Sequence, residues 1–340
     1  MATTDALLDT ARAMVAPGKG ILAIDETGPT CTKRFVACGI ESTEKSRRDY
    51  REMLITTPGA GEYISGAILV DETIRQTTED GQPFAEALAR RGIIPGIKVD
   101  EGTKPMPDAP GETVTDGLEG LNERLEEYRR MGARFTKWRA VLRIGENMPS
   151  RHAIEANSKA FGHYVDTVQQ VGLVPIVEPE LLIEGDHDIV RCAEATHEVL
   201  ESVFKELVGQ GCRLDGMVLK PNMVTPAASS TARAEPEEIA TRTIEVLRRC
   251  VPPEVPGIAF LSGGQTGEEA CANLNAIASR GPFPWEITFS FGRALQYPAL
   301  EIWGGRAENV AAAQSAFLHR LRMSSLARGG EYSAAAERAS

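Results

Sequence analysis

The sequence predicts a (β/α)₈ barrel, and three observations support this. Short apolar segments alternate with longer amphipathic segments along most of the chain, a pattern typical of βα units on a parallel sheet. Eight strand-like segments can be counted, which favours a closed barrel over an open, doubly wound sheet. The length of 340 residues allows two average domains, but it is also common for one barrel with insertions.

The predicted elements follow from this alternation. The eight strands are, in chain order, residues 20–25 (GILAID), 64–70, 93–99, 134–144, 173–181, 214–221, 257–263 and 286–295. Helices are predicted over 150–170, 188–208, 235–249 and 266–279, and residues 104–117 and 221–235 have the composition of loops. We expect one catalytic barrel domain over 1–323. Residues 324–340, which are small and polar, are predicted to form a mobile tail.

Composition excludes several classes of function. A formal net charge of -11 argues against general binding to nucleic acid or to an anionic membrane. No run approaches the roughly 18 apolar residues of a membrane span, and no basic segment precedes an apolar one at the N-terminus, so we expect a cytoplasmic protein. The six cysteines form no C-x-x-C pair and the five histidines are dispersed, which predicts reduced thiols and no metal site.

Polar residues interrupt the predicted strands close to their carboxyl ends, where a barrel of this type carries its active site. Because side chains alternate along a strand, Lys137 and Arg139 share one face, as do Glu178 and Glu180. An isolated charge near a strand end is usually a solvated position, but here nearly every strand has one. The full set is Asp25, Lys98, Lys137, Arg139, Glu178, Glu180, Lys220, Ser262, Ser290 and Arg293.

The convergence of these residues predicts a cationic pocket in an acidic protein. Five of them are basic and only three are carboxylates, and burying unpaired charges is costly. A ligand with phosphate groups would compensate the excess positive charge. The segment LSGGQT, with Ser262, Gly263 and Gly264, and the segment SFGRA, with Arg293, predict a phosphate site in the last two βα loops.

Lys220 is the candidate nucleophile. It ends an apolar strand in MVLKPNM, and a lysine amine becomes nucleophilic when desolvation or a neighbouring cation, here Lys137, lowers its pKa. The natural chemistry is a Schiff base with a carbonyl, and the alternative is a lysine that only pairs with a phosphate. Glu178 and Glu180 suit acid–base work, with structural ion pairs as their alternative. The sequence has no nucleotide-binding or serine-hydrolase motif.

The whole chain resembles the class I fructose-1,6-bisphosphate aldolases of the animal and plant type. The resemblance runs from about residue 5 to about residue 330 and rests on GKGILAIDE, IKVD, KWR, IVEPE, LKPNM, LSGGQ and FGRALQ, in this order. It implies a carbon–carbon lyase of glycolysis that forms dihydroxyacetone phosphate and glyceraldehyde 3-phosphate. It also implies no metal or cofactor beyond a covalent Schiff base, and a homotetramer.

The resemblance also implies individual roles. Lys220 would form the Schiff base, Glu178 would be the main proton donor and acceptor, and Glu180 would assist it. Asp25 would take the hydroxyl proton whose loss breaks the carbon–carbon bond, with Lys137 stabilising charge beside it. The phosphate nearest the ketone would be bound by Ser262, Gly263, Gly264, Gly292 and Arg293, with Ser290 beside them. The remaining substrate contacts would come from Lys98, Arg139, Lys33, Arg34, Thr27, Thr30 and Arg47.

Two features depart from the family pattern. Thr27 and Thr30 stand where the family usually has serines, and Pro29 between them stiffens the loop. Animal and plant members end in a tyrosine after a longer tail, whereas the last tyrosine here is Tyr332. Two other functions stay open on the sequence. One is a different Schiff-base barrel, such as a transaldolase-like enzyme, and the other is a non-catalytic binding or scaffold protein.

Overall fold

Eight parallel strands close into a barrel in the computed structural model, which describes residues 4–338. The barrel strands are β1 (Gly20–Ala23), β2 (Ile64–Leu69), β3 (Ile94–Lys98), β6 (Phe135–Leu142), β7 (Val174–Leu181), β8 (Val218–Leu219), β9 (Gly257–Phe260) and β10 (Glu286–Phe291). They are neighbours in this order, and β1 pairs in parallel with both β2 and β10, which closes the ring. The predicted (β/α)₈ barrel is confirmed.

Helices surround this barrel. They are α1 (Thr4–Met14), α2 (Gly28–Ala37), α3 (Glu44–Ile55), α4 (Asp71–Ile74), α5 (Phe84–Ala89), α6 (Leu121–Arg130), α7 (Arg151–Val171), α8 (Ile189–Gly209), α9 (Pro236–Cys250), α10 (Gly267–Ala278), α11 (Arg293–Trp303), α12 (Val310–Arg328) and α13 (Ala334–Arg338). Their apolar faces pack on the outside of the sheet, as the amphipathic pattern predicts. Among residues 4–338, no helix has the length and apolar character needed to cross a membrane.

Bulky side chains fill the interior of the barrel near its amino-terminal end. Phe135 is fully buried there, in a cluster with Ile21, Val174 and Ile176. A Cβ added at Gly96 would lie 2.2 Å from the Phe135 ring. Gly96 on β3 therefore makes room for this ring, and the polar residues are concentrated at the opposite, carboxyl end.

Two predicted elements differ in the structure. The strand expected over 214–221 is only two residues long, because Leu214–Gly216 forms a 3₁₀ turn, although the Lys220 amide still donates to the Val177 carbonyl at 2.8 Å. Within the segment expected to be a loop, β4 (Thr103–Pro105) and β5 (Thr113–Thr115) form an antiparallel hairpin. The side chain of Asn157 on α7 bonds to the backbone of this hairpin, a tertiary contact that local composition does not reveal.

The C-terminal segment is also more ordered than the sequence suggests. The tail expected from residue 324 begins later, because α12 continues to Arg328, whose guanidinium donates to the Val15 carbonyl at 2.7 Å and pairs with Glu286 at 2.8 Å. Beyond it, Tyr332 donates its hydroxyl to Glu337 on α13 at 2.8 Å. The apolar side chains of α12 do not gather on one face, so its sequence lacks the usual amphipathic signature.

Candidate active site

The predicted site residues surround one cavity of about 690 Å³ at the carboxyl end of the barrel. Parallel strands place their carboxyl ends at the same rim, so residues far apart in sequence meet there. The predicted residues that line the cavity are Asp25, Thr27, Thr30, Lys33, Arg34, Lys98, Lys137, Arg139, Glu178, Glu180, Lys220, Ser262, Gly263, Gly264, Ser290, Gly292 and Arg293. Arg47 is the predicted site residue that lies apart from this lining.

Strand register explains how these side chains meet. Lys98 on β3 is level with Lys137 on β6, and Arg139 on β6 is level with Glu178 on β7. Strand β7 stays extended through Pro179, so Glu178 and Glu180 point to the same side of the sheet. The basic side chains of β6 therefore lie beside the carboxylates of β7 at the rim.

A buried ion-pair network occupies the centre of the site. The Lys137 ammonium lies 2.7 Å from Asp25 Oδ2, 3.1 Å from Glu178 Oε2 and 3.9 Å from Asp100 Oδ2. The other oxygen of Glu178, Oε1, lies 3.1 Å from the Lys220 ammonium. Only 3% of the Lys137 side chain and 4% of the Lys220 side chain are exposed. Glu178 therefore bridges the two lysines in a desolvated environment.

The charges of this network hold Asp25, Glu178 and Lys137 ionised. Burial raises the pKa of Asp25, but the positive charges of Lys137 and Lys220 outweigh it and hold that pKa well below its usual range. The same balance lowers the pKa of Glu178. Burial lowers the pKa of Lys137, but Asp25, Glu178 and Asp100 raise it well above the ordinary value. Before substrate binds, Lys137 is therefore a cation between the ionised carboxylates of Asp25 and Glu178 at neutral pH.

This arrangement suits imine chemistry at Lys220. A carbonyl carbon beside the Lys220 amine can be attacked once the ammonium loses a proton, and the Glu178 carboxylate is within hydrogen-bonding distance to accept it. The same carboxyl group can return the proton to the hydroxyl that leaves as water when the imine forms. The fixed charge of Lys137 stabilises an oxygen that becomes negative near Asp25.

The last two βα loops place glycines, serines and an arginine along the cavity wall. Gly263 and Gly264 have positive φ angles of 50° and 86°, a conformation that favours glycine, and both residues line the cavity. A Cβ on Gly264 would lie 3.4 Å from Arg293 Nη2, so the guanidinium lies close against this loop. Ser290 Oγ is buried without a hydrogen-bond partner in the described structure and lines the same cavity. These groups combine a cation with polar donors, as phosphate binding requires.

The opposite side of the cavity has cations that already contact carboxylates. Lys98 Nζ lies 2.6 Å from Asp100 Oδ1, and Arg139 donates to Glu180. Burial lowers the pKa of Arg139, but the charge of Glu180 outweighs this effect and holds that pKa above its ordinary value. Three further ion pairs on this side link Arg34 to Glu26, Arg47 to Glu72 and Arg51 to Glu72. Arg47 donates to both carboxylate oxygens of Glu72, at 2.9 and 2.6 Å. These bonds direct the Arg47 side chain away from the cavity.

Comparisons with known proteins identify the family. The sequence model of the family "Fructose-bisphosphate aldolase class-I" matches residues 6–340. This chain belongs to the class I fructose-bisphosphate aldolase family. Enzymes of this family cleave fructose 1,6-bisphosphate reversibly through a lysine Schiff base, without a metal ion, which confirms the reaction and the covalent chemistry expected from the sequence.

Relatives of known name agree over nearly the full length. The chain is 52% identical over 327 residues to a probable class 1 fructose-bisphosphate aldolase of Xanthomonas campestris, covering 96% of this chain and 98% of that one. It is 51% identical to the cytosolic fructose-bisphosphate aldolase 4 of Arabidopsis thaliana, covering 93% and 81%. The Plasmodium falciparum aldolase, solved in complex with TRAP and an inhibitor, superposes with a TM-score of 0.96 at 47% identity, covering 97% and 95%.

Several residues of this aldolase site were missed in the sequence. Asp100 contacts Lys98 and Lys137, and its position in IKVD, two residues after Lys98, was the available signal. Gln296 on α11 is 1% exposed and donates to Glu26 at 2.9 Å, which links α11 to the loop after β1. No sequence pattern points to Gln296. Among residues 4–338, no group of three or more His, Cys, Asp or Glu side chains is arranged to hold a metal ion.

The network predicts an unusual pH dependence for Lys137→Met. Removing the cation leaves Asp25, Glu178 and Asp100 buried together, so the stability at neutral pH should fall by about 3–5 kcal/mol. The pKa values of Asp25 and Glu178 in the folded variant should then rise above those in the unfolded chain, because burial, the largest influence on each, is opposed by fewer cations once Lys137 is gone. The folded variant then binds more protons than the unfolded chain, and its stability should rise as the pH falls from 7.5 to 5.5.

In the wild type the lowered carboxylate pKa values give stability that is complete above about pH 4–5 and is lost only below it. Urea unfolding at the two pH values measures the difference. Lys205→Met, an exposed lysine on α8, is the matched control and should behave as wild type. A Lys137→Met variant with the same pH dependence as Lys205→Met would show that Lys137 does not hold these carboxylates ionised.

Proposed function

We propose that this aldolase forms its Schiff base on Lys220, with Glu178 as the acid–base group. The observation that carries this assignment is the contact of one buried carboxylate with both lysines, at 3.1 Å in each case. Lys220 gives a proton to Glu178 and attacks the ketone carbon of fructose 1,6-bisphosphate. Glu178 then protonates the hydroxyl of the carbinolamine, which leaves as water and gives the iminium ion.

Asp25 and Lys137 are proposed to carry out carbon–carbon cleavage. The ionised carboxylate of Asp25 takes the proton from the C4 hydroxyl, and the C3–C4 bond breaks as its electron pair moves into the iminium. Glyceraldehyde 3-phosphate leaves, and an enamine remains on Lys220. Lys137, held 2.7 Å from Asp25, stabilises the negative charge that develops on the C4 oxygen. Glu180, which pairs with Arg139, supports Glu178 from the same face of β7.

Protonation of the enamine is assigned to Glu178 or to water held beside it. Tyr332, the last tyrosine of the chain, donates its hydroxyl to Glu337, and its backbone amide bonds to Asn275 on α10 at 2.9 Å. Both partners lie outside the cavity lining, so this tyrosine is held away from Lys220. The proton passes to C3 from Glu178 or from the water beside it, and a further water then hydrolyses the imine to release dihydroxyacetone phosphate.

The two phosphates are assigned to opposite sides of the cavity. The phosphate near the ketone is proposed to bind Ser262, the amides of Gly263, Gly264 and Gly292, Ser290 and Arg293. The other phosphate is proposed to bind Lys98, Arg139, Lys33, Arg34, Thr27 and Thr30. Thr27 and Thr30 hydroxyls lie 3.2 Å apart, so both can turn toward one ligand.

We infer a cytoplasmic homotetramer with one catalytic barrel per chain. The support is the family resemblance, together with the plant relatives that are named cytosolic. The pairing of β1 with β10, which closes one barrel, and the packing of α12 on α11 support a single catalytic domain.

The Schiff-base assignment predicts the site of covalent trapping. Borohydride added with dihydroxyacetone phosphate should reduce the imine, label Lys220 and abolish activity. Lys220→Arg keeps a positive charge but has no amine nucleophile, so turnover should fall by several orders of magnitude. Peptide mapping by mass spectrometry locates the label, and a label on Lys98 or Lys137 alone would rule the assignment out.

Arg293→Ala should weaken substrate binding by on the order of 2–4 kcal/mol, because a charge-assisted contact to phosphate is lost in a partly desolvated site. Steady-state kinetics with fructose 1,6-bisphosphate measure the rise in KM. Arg143→Ala removes an exposed arginine just after β6 and should leave KM unchanged. Equal kinetics for the Arg293→Ala and Arg143→Ala variants would remove Arg293 from the phosphate site.

A further inference from the structure

The two phosphate regions differ in how their cations are paired. Within the described part of the chain, Arg293 has no carboxylate within 4 Å, so its full charge faces the cavity beside the 262–264 loop. On the other side, Lys98, Arg139 and Arg34 each contact a carboxylate. A phosphate that binds any of these three cations must exchange with a carboxylate, whereas a phosphate beside Arg293 need not displace one.

Among these three cations, Lys98 contacts both the side chain and the backbone of its partner. Its ammonium contacts the Asp100 side chain at 2.6 Å and also donates to the Asp100 backbone carbonyl. Only 13% of the Lys98 side chain and 4% of the Asp100 side chain are exposed, so water screens this pair poorly. A phosphate that recruits Lys98 must therefore break a largely desolvated ion pair.

Asp100 is fixed in place by its other contacts. Its carboxylate accepts from the Arg139 amide at 3.3 Å and from the Gly102 amide at 3.4 Å, and it lies 3.9 Å from Lys137 Nζ. It cannot swing away easily when a phosphate approaches Lys98. The negative charge of Asp100 then stays close to the bound phosphate and repels it.

We propose that Asp100 is a specificity-determining residue that competes with the second phosphate of the substrate for Lys98. It thereby lowers the preference of the enzyme for fructose 1,6-bisphosphate over fructose 1-phosphate, which lacks that phosphate. The inference rests on the proposed role of Lys98 in binding the second phosphate. Asp100 itself does not line the main cavity and touches no reacting atom, so it acts through Lys98.

The conservative variant Asp100→Asn isolates the charge. Asparagine keeps the size of the side chain and one of the two oxygens that accept from the Gly102 and Arg139 amides, and the backbone carbonyl of residue 100 still accepts from Lys98. The KM for fructose 1,6-bisphosphate should fall three- to tenfold, because Lys98 is released to the phosphate. Because fructose 1-phosphate has no phosphate for Lys98 to bind, the ratio of the KM for fructose 1,6-bisphosphate to the KM for fructose 1-phosphate should fall by the same factor.

A double-mutant cycle tests whether the effect passes through Lys98. Lys98→Met should raise the KM for fructose 1,6-bisphosphate at least tenfold, and adding Asp100→Asn to it should bring no further change. Any effect of Asp100 on Lys137 would alter both substrates alike and cancel in their ratio. Glu101→Gln, at the exposed neighbour, is the control for a change of net charge alone.

The outcomes separate two kinds of failure. A KM for fructose 1,6-bisphosphate that rises in Asp100→Asn, or an equal change for both substrates, would overturn the competition. An unchanged KM in Lys98→Met would instead remove Lys98 from the phosphate site. Asp100→Ser is a second variant that also removes the charge, and it should shift the ratio of the two KM values in the same direction. Circular dichroism verifies the fold of each variant.

Discussion

The site depends on one constraint, which is the buried positive charge of Lys137. Its ammonium is held by Asp25 after β1, Asp100 after β3 and Glu178 on β7, so a single cation ties together three separate parts of the barrel rim. Burying any one of these charges alone would cost free energy, and the attraction between opposite charges in the group offsets that cost. The same requirement positions Glu178, whose second oxygen reaches Lys220. The Lys220 amine is thus positioned both by this network and by the backbone bond of Lys220 to Val177 at the end of β8.

The cations at the two ends of the cavity differ in whether they are paired with carboxylates. Near Lys220, Arg293 and the glycine loop offer positive charge and backbone donors that contact no carboxylate in the described structure. At the far end, Lys98, Arg139 and Arg34 are already paired. The first end is preorganised for an anion, whereas an anion that binds these three cations at the second end must exchange with their carboxylates.

The sequence predicts the barrel and most of the cavity for a physical reason. Alternating βα units close into one ring, and parallel strands bring their ends together, so polar residues at strand ends meet whatever their separation in the chain. Pairing is harder to predict. Arg47 forms an ion pair with Glu72, and Asp100 forms one with Lys98. Both pairs depend on the geometry of loops and neighbouring helices. The 103–115 hairpin and the continuation of α12 to Arg328 likewise depend on contacts with Asn157 and Glu286 that are distant in sequence.

A crystal structure of the protein soaked with dihydroxyacetone phosphate tests the central claim most directly. The account predicts continuous electron density from Lys220 Nζ to the ligand C2, with the phosphate at Arg293 and Gly264 and Glu178 within hydrogen-bonding distance of the new bond. Lys137 should keep its contact with Asp25. Density joined to another lysine, or an unbonded ligand whose phosphate lies at Lys98, would contradict it.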